Sequence, residues 1–262
     1  MRETFDPVFD VTGKVIVLTG ACGTIGRTLA EALASRHARL VLVDRDNTAL
    51  DALKSACGGN AIVIEADVAL ESEVARILTT TLSSFGRVDV LINSHQCKPP
   101  SGWGTPAEEF ALETWQQIVD VNLTGTFLMC RDLGRQMLGQ GKGSIINLAS
   151  TYAVVSSNPS LYTHTTYSNA VAYSASKGGV VMLTKYLGAY WAKRGVRVNC
   201  VSPHGVLGRV DEVFVDQFSA MSPMGRTMAP REIVGAILFL ASDASSYTTG
   251  SNLLVEGGWT AW

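Results

Sequence analysis

Charge is scarce in this chain. Asp, Glu, Lys and Arg together make up 17% of its 262 residues, and the formal net charge is -2. There is no run of Lys or Arg, which argues against nucleic acid as an obligate partner. There is no apolar run long enough to cross a bilayer; the longest, around residues 233–241, falls well short of the roughly 20 residues a spanning helix needs. Residues 1–6 (Met1-Arg2-Glu3-Thr4-Phe5-Asp6) lack the apolar core of a signal peptide. Cysteine is sparse and unpatterned: Cys22, Cys57, Cys97, Cys130 and Cys200 are odd in number and show no CxxC spacing. They read as reduced thiols of a cytoplasmic protein, with no zinc or other metal site. No linker, repeat or low-complexity tract divides the chain, so residues 1–262 are read as one domain. What the chain does have is apolar residues, 47% of the total, enough for a sizeable core. Low surface charge also accompanies large subunit contacts.

Short β-branched runs alternate with amphipathic segments. The pattern predicts strands at 15–19, 40–44, 61–65, 88–93, 144–148, 197–201 and 252–255. Helices are expected at 25–35, 48–56, 71–85, 106–122 with a continuation to 140, 171–194 and 230–241. The strands are near-continuous apolar runs, as in a parallel sheet buried on both faces. Their alternation with helices predicts a doubly wound α/β sheet. Two long loops, 95–105 and 151–169, and an irregular stretch at 203–228 all follow carboxyl ends of strands. Open α/β sheets place ligands there, so these three are read as substrate loops.

The first strand runs into Thr19-Gly20-Ala21-Cys22-Gly23-Thr24-Ile25-Gly26. Gly20 permits a tight turn, Gly23 close approach of backbone to phosphate, and Gly26 close packing of helix on strand. A pyrophosphate would then rest on the free N–H groups of the helix N-terminus, at Thr24 and Ile25. The second strand ends at Asp44, where a carboxylate accepts hydrogen bonds from both ribose hydroxyls and repels a 2′-phosphate. This favours NAD over NADP, although Arg45 beside it could instead pair with a 2′-phosphate. Asp67-Val68, after the third strand, could reach the adenine edge; equally, Asp67 could cap the next helix. Together these features predict a doubly wound, seven-stranded parallel sheet of the Rossmann type, with helices on both faces.

Tyr173 and Lys177 stand four residues apart on a predicted helix, so the ammonium is expected beside the phenol, lowering its pKa. Taken with Val121-Asn122-Leu123 and Gly125, Ile145-Ile146-Asn147-Leu148-Ala149-Ser150, Arg197-Val198-Asn199-Cys200-Val201-Ser202-Pro203, Phe239-Leu240-Ala241-Ser242-Asp243, Thr249-Gly250 and Glu256-Gly257-Gly258, the chain resembles the short-chain dehydrogenase/reductase family in its single-domain branch. The resemblance covers nearly the whole chain. It implies a catalytic tetrad of Asn122, Ser150, Tyr173 and Lys177. Tyr173 would exchange a proton with the substrate oxygen, and Ser150 would stabilise charge developing there. Lys177 would lower the tyrosine pKa and hold the nicotinamide ribose. Asn122 would hold a water linking Lys177 to solvent. Ser160 lies nearer the family's usual serine-to-tyrosine spacing but falls in a turn sequence. Ser150, at a strand end, is therefore chosen, with an insertion at 151–169 that includes Tyr162, His164 and Tyr167. That insertion is rich in Ser, Thr, Tyr and Asn, which favours a polar, polyhydroxylated substrate.

The chain departs from the family pattern at three places. Thr24 replaces a glycine of the turn, giving a spacing similar to that of sugar-nucleotide-modifying relatives. Asn93-Ser94-His95-Gln96 replaces Asn-Asn-Ala-Gly beside the cofactor, where Asn93 aligns with a residue that braces the sheet. His95 reads as non-catalytic rather than as a proton carrier. Pro203-His204-Gly205 replaces Pro-Gly, with Gly205 and Val206 following along the cofactor. His204 is expected near the carboxamide end of the cofactor or at a loop start. The expected activity is NAD-dependent interconversion of a secondary alcohol and a ketone on a small polyol or sugar-like molecule. The insertion and the end Gly257-Gly258-Trp259-Thr260-Ala261-Trp262 are similar to family members linked to surface-polysaccharide or flagellin sugar modification. Two alternatives are a non-catalytic NAD(H)-binding regulator and a sugar-nucleotide epimerase or dehydratase. The resemblance also implies a homotetramer, with a homodimer as the simpler alternative.

Overall fold

A computed structural model describes residues 7–99, 102, 104–162, 169–206 and 212–262. The readings made on residues 1–6, His164 and Tyr167 lie outside these. In chain order, the elements up to the chain midpoint are β1 (Val15–Thr19), α1 (Thr24–Ala34), β2 (Arg39–Asp44), α2 (Asn47–Cys57), β3 (Ala61–Glu65), α3 (Glu71–Phe85), β4 (Val90–Asn93), α4 (Leu112–Val119) and α5 (Thr126–Gln140). Then come β5 (Gly143–Leu148), α6 (Val171–Trp191), β6 (Val196–Pro203), α7 (Glu212–Met221), α8 (Val234–Ala241) and β7 (Asn252–Val255). The seven strands form one parallel sheet in the order β3-β2-β1-β4-β5-β6-β7.

Alternation along the strands divides the core into two layers. In β1, Ile16 and Leu18 join one layer with α1, α2 and α8 (Leu29, Leu33, Leu50, Leu53, Ile237, Leu240). Val17 faces the other layer, made with α3, α5 and α6 (Ile77, Met129, Leu133, Leu187, Trp191). Both faces of β1 are therefore dry, which is why its sequence reads as an unbroken apolar run. The strand order reverses between β1 and β4, and the crevice at their carboxyl ends is where such a sheet receives a ligand.

The structure corrects the sequence reading in two places. The helix expected at 106–122 with a continuation to 140 is broken: a 3₁₀ turn (Ala107–Glu109) precedes α4, and a π-helical turn (Asp120–Gly125) separates α4 from α5. The cause is local. Thr126 Oγ1 donates to the Asn122 carbonyl at 2.8 Å, and Gly125 passes so close to β3–α3 that a Cβ would meet the Val68 side chain at 3.0 Å. The stretch 203–228, read as irregular, contains α7. Phe214, Phe218 and Met221 stand at helical spacing and pack with Leu161, Tyr162 and Trp259, but the glycines and prolines on either side hide that period.

Helix α6 lies hard against the sheet. A Cβ on Gly188 would meet the Gly250 nitrogen at 2.5 Å and the Val198 oxygen at 2.9 Å. Gly139, near the end of α5, has nothing within 4 Å of its own hypothetical Cβ. Gly188→Ala is therefore expected to lower stability by about 1–3 kcal/mol through overpacking. Gly139→Ala should raise it by about 0.5–1 kcal/mol through helix propensity. Chemical denaturation of the two variants checks the opposite signs.

Candidate active site

The glycine turn forms one end of a cleft of about 1250 Å³ at the carboxyl ends of the strands. Gly20 has φ +64, and a Cβ there would sit 2.7 Å from the His95 backbone. A Cβ on Gly26 would meet the Gly20 carbonyl at 2.1 Å, so only glycine permits α1 to begin this close to β1. Gly23, at the N-cap of α1, makes no side-chain cap, and the first N–H groups of the helix face the cleft without intrahelical partners. A dinucleotide's pyrophosphate fits such a cradle.

At the next strand end, the Asp44 carboxylate accepts hydrogen bonds from the N–H groups of Cys22 (2.8 Å), Arg45 (2.7 Å) and Asp46 (3.4 Å). Three backbone donors fix its position beside the glycine turn. Arg45 leans toward Asp67, with 3.6 Å between Nη1 and Oδ2. Asp67 also accepts from the Ala69 N–H at 3.0 Å, in a turn just ahead of α3, whose N-cap is Leu70. Asp67 thus shapes the approach to the helix and does not cap it. Thr24, Ile25, Val68, Ser94, Pro203, Gly205 and Val206 line the same cleft.

Asn93, expected among the cofactor contacts, does not line the cleft. It is 2% exposed and lies within the sheet, where its Nδ2 donates to Asn147 Oδ1 at 2.9 Å. Asn147 in turn donates to Thr184 Oγ1 at 2.9 Å. This buried chain ties β4 to β5 and β5 to α6, so Asn93 serves the site through the helix that carries Tyr173 and Lys177.

Ser150 follows the end of β5, and a hydrogen bond joins its hydroxyl to that of Tyr173. Ser150 also accepts from the Tyr152 N–H at 3.2 Å. The rejected alternative, Ser160, is exposed and sits in a turn built on Asn158. Lys177 is buried at 4% exposure and donates to the Leu148 carbonyl at 2.7 Å. Burial brings its pKa down to about 8.

The Lys177 Nζ lies 5.9 Å from the centroid of the Tyr173 ring, and the ammonium is turned to the β5 carbonyl. Burial raises the Tyr173 pKa above that of an ordinary phenol, and the bond from Ser150 opposes the rise. In this arrangement the Ser150 hydroxyl favours the phenolate. Asn122 is held from two sides. Its Oδ1 accepts from the Cys97 N–H at 2.7 Å and its Nδ2 donates to Ser176 Oγ at 3.1 Å, so both ends of the amide are occupied by protein. It clamps the π-helical turn to the loop after β4 and to α6.

His95 is fully engaged. Nδ1 meets Thr19 Oγ1 at 2.7 Å and Nε2 meets Thr126 Oγ1 at 3.2 Å. Burial, with the nearby Lys177 charge adding to it, holds the imidazole neutral with a pKa of about 3. It is a brace between β1 and α5 and not a proton carrier. His204, expected at the carboxamide end of the cofactor or at a loop start, begins the loop after β6 and is enclosed by the rings of Tyr152, Phe218 and Trp259. Trp259 and Phe214 were not singled out from the sequence as site residues. The Phe214/Phe218 spacing was the signal available for α7; Trp259 carried none, because only folding returns the C-terminus to β6.

A dinucleotide cradle whose far end presents a serine and a tyrosine hydroxyl joined to each other, beside a buried lysine, is the site of a nicotinamide-dependent oxidoreductase working on CH–OH groups. The comparisons agree. The sequence model of the family described as enoyl-(acyl carrier protein) reductase matches residues 20–260. The chain is 39% identical over 260 residues to the D-threitol dehydrogenase of Mycolicibacterium smegmatis, covering 96% of this chain and 95% of that one. It is 38% identical over 267 residues to the galactitol 2-dehydrogenase (L-tagatose-forming) of Cereibacter sphaeroides, covering 97% and 98%. Among solved structures, a short-chain dehydrogenase from Leptospira borgpetersenii with bound NAD+ superposes with a TM-score of 0.87 at 31% identity, over 99% of this chain and 98% of that one. A gluconate 5-dehydrogenase from Burkholderia cenocepacia in complex with NADP and tartrate does so with a TM-score of 0.87 at 29% identity, over 98% of each chain. The protein belongs to the short-chain dehydrogenase/reductase family.

The two buried histidines give the fold an acid-sensitive limb. His95 and His204 have pKa values lowered to about 3 and about 4, so the unfolded chain takes up protons near 6.5 that the folded chain refuses. Stability from both is complete above about pH 6.5 and is lost as the pH falls toward their folded values. Between about pH 6.5 and 5 the thermal midpoint of the cofactor-free protein should fall with acid, and His95→Asn should remove roughly half of that slope.

Proposed function

We propose that this protein is an NAD-dependent dehydrogenase that interconverts a secondary alcohol and a ketone on a small polyol. The observation that carries the reading is the joined Ser150 and Tyr173 hydroxyls at the end of a cleft whose adjoining wall is hydroxyl-rich. There Tyr152 Oη and Tyr162 Oη lie 2.9 Å apart, with the Phe214 ring beside Tyr162. Such a wall offers apolar faces to carbon and polar tips to hydroxyls. Relatives that act on threitol and galactitol support the same substrate class.

The dinucleotide, when bound, accepts or supplies the hydride. The chain's residues do the rest. Gly20, Gly23 and Gly26 bring backbone donors to the pyrophosphate. Asp44, held by three N–H groups, takes the adenosine ribose hydroxyls and repels a 2′-phosphate. Arg45, drawn toward Asp67, is poorly placed to reverse that preference. Lys177, anchored on Leu148, would hold the nicotinamide ribose. Ser150 hydrogen-bonds the substrate oxygen and stabilises charge on it. Tyr173 takes the hydroxyl proton in oxidation and returns it in reduction.

The fold is read as one cofactor-binding domain spanning 1–262, with substrate loops 95–105, 151–169 and 203–228. The outer face of α6 exposes Met182, Tyr186 and Tyr190, the last two stacked at 5.8 Å. Leu112 and Phe127 are also exposed on α4 and α5. Apolar surface on these helices supports a homotetramer, or at least a homodimer. No described helix is long and apolar enough to cross a membrane. The scattered free thiols support a cytoplasmic setting.

Net NADH production across a panel of polyols, with an enoyl thioester and simple secondary alcohols as controls, tests the activity. Silence on every alcohol despite tight NAD binding would replace the enzyme reading by that of a regulator. Tyr173→Phe should lower turnover by about 10²-fold or more while NAD still binds, measured by calorimetry. Because burial keeps Tyr173 protonated, alcohol oxidation should rise with pH, and ketone reduction should hold until alkaline pH and then fall. Parallel slopes in the two directions would contradict its role. Asp44→Ala should lower kcat/KM with NAD about 10-fold or more and narrow the preference against NADP.

A further inference from the structure

His204 stands where the family pattern has glycine, directly after β6. It is 7% exposed, and its imidazole centroid lies 5.0 Å from the Tyr152 ring, 4.9 Å from Phe218 and 4.6 Å from Trp259. Trp259 itself stacks on Phe218 at 4.9 Å with an interplanar angle of 11°. The backbone beneath is pinned. The His204 N–H donates to the Val255 carbonyl at 3.3 Å, and the Gly205 carbonyl accepts from the Met228 N–H at 2.8 Å. Gly205 has φ +56, and a Cβ there would meet the Phe218 ring at 2.2 Å. The imidazole is therefore held in one place by a box of rings.

Within that box its Nε2 is buried and has no hydrogen-bond partner among the described residues. Leaving a buried polar atom unpaired ordinarily costs about 1–3 kcal/mol, and packing alone gives no reason for a nitrogen at this position. Burial keeps the ring neutral, with a pKa of about 4, so Nε2 is a donor in one tautomer and an acceptor in the other. A hydroxyl can satisfy either. His204 lines the same cleft as Ser150 and Tyr173, and Tyr152 connects the two regions. The N–H of Tyr152 bonds to Ser150 Oγ, its ring lies edge-on to His204, and its hydroxyl meets Tyr162.

We infer that His204 is a specificity-determining residue, hydrogen-bonding through Nε2 to a substrate hydroxyl other than the one that is oxidised. The inference rests on the polyol reading and sharpens it. The preferred substrate carries a further hydroxyl beyond the reacting carbon, on the side of Tyr152. A ring-lined wall with one polar atom suits the carbon chain and rewards a hydroxyl at one point, while a substrate without that hydroxyl leaves the nitrogen unpaired.

The test compares 2-butanol, 2,3-butanediol and threitol, which have the same carbon number and increasing hydroxyl content. Full-length wild type, His204→Phe and His204→Gln are each assayed with NAD. The wild type should favour threitol over 2-butanol. His204→Phe, which keeps the aromatic packing and removes the nitrogen, should cut the threitol to 2-butanol ratio of kcat/KM about tenfold, mainly through KM. His204→Gln, which restores a polar group, should recover part of that ratio. Wild-type protein with 15N-labelled histidine gives a readout independent of variant folding: one imidazole signal should move when threitol, but not 2-butanol, is added to the NADH complex. A wild type that prefers threitol while His204→Phe keeps the same ratio, or a threitol complex with no imidazole shift, overturns the role of His204 and leaves the polyol reading standing. A wild type with no preference along the series overturns both.

Discussion

An ammonium group buried at 4% exposure has little choice of partner, and Lys177 takes the carbonyl of Leu148 at 2.7 Å. That bond joins helix α6 to the last residue of strand β5. Two residues beyond Leu148 on the strand side is Ser150; one turn before Lys177 on the helix side is Tyr173. Placing the lysine on that carbonyl brings the two hydroxyls together, and a misplaced α6 would leave a charge without a partner in a dry layer. The cost of an unpaired buried charge far exceeds that of an ordinary lost contact, so the arrangement is strongly specified. The chain of Asn93, Asn147 and Thr184, and the Asn122 clamp on Ser176, hold the same helix from other directions.

Several polar residues in and around the site therefore act at one remove. Asn93 braces the sheet, Asn122 clamps the π-helical turn, and His95 bridges Thr19 and Thr126. All three lie beside the cleft in sequence terms, but their hydrogen-bonding capacity is mostly directed into the protein. His204 differs from His95. It is as enclosed as His95, yet the nitrogen that His95 commits to a threonine is left without a partner in His204. The contrast between two neutral, buried imidazoles, one satisfied and one not, separates a brace from a reader of substrate.

The wall opposite the glycine turn is assembled from distant parts of the chain. Tyr152 and Tyr162 come from the segment after β5, His204 from the end of β6, Phe214 and Phe218 from α7, and Trp259 from the C-terminus. Rings pack on rings there, and the hydroxyls of the two tyrosines pair with each other. This division gives a rigid cofactor end, set by backbone packing at Gly20 and Gly26, and a substrate end whose chemistry is set by side chains.

Much of this was legible in the order of residues alone. Uninterrupted apolar strands alternating with amphipathic helices imply a parallel sheet, because a strand covered on both faces has no polar side to show. The glycine turn, Asp44 at a strand end, Ser150 at another and the Tyr173/Lys177 spacing are local patterns, and local geometry carries them. Tertiary structure alone decided what is non-local. Lys177 turns to Leu148 and not to the phenol, because burial makes a carbonyl partner obligatory. The long helix expected at 106–140 is interrupted by the π-helical turn around Asn122, whose amide meets the Cys97 N–H of the loop after β4 and the Ser176 hydroxyl of α6. Trp259 reaches His204, because β7 returns the C-terminus beside β6. Sequence spacing reports neighbours along one element; desolvation and hydrogen-bond satisfaction depend on every element that meets at a point, and these assign each polar group its final partner.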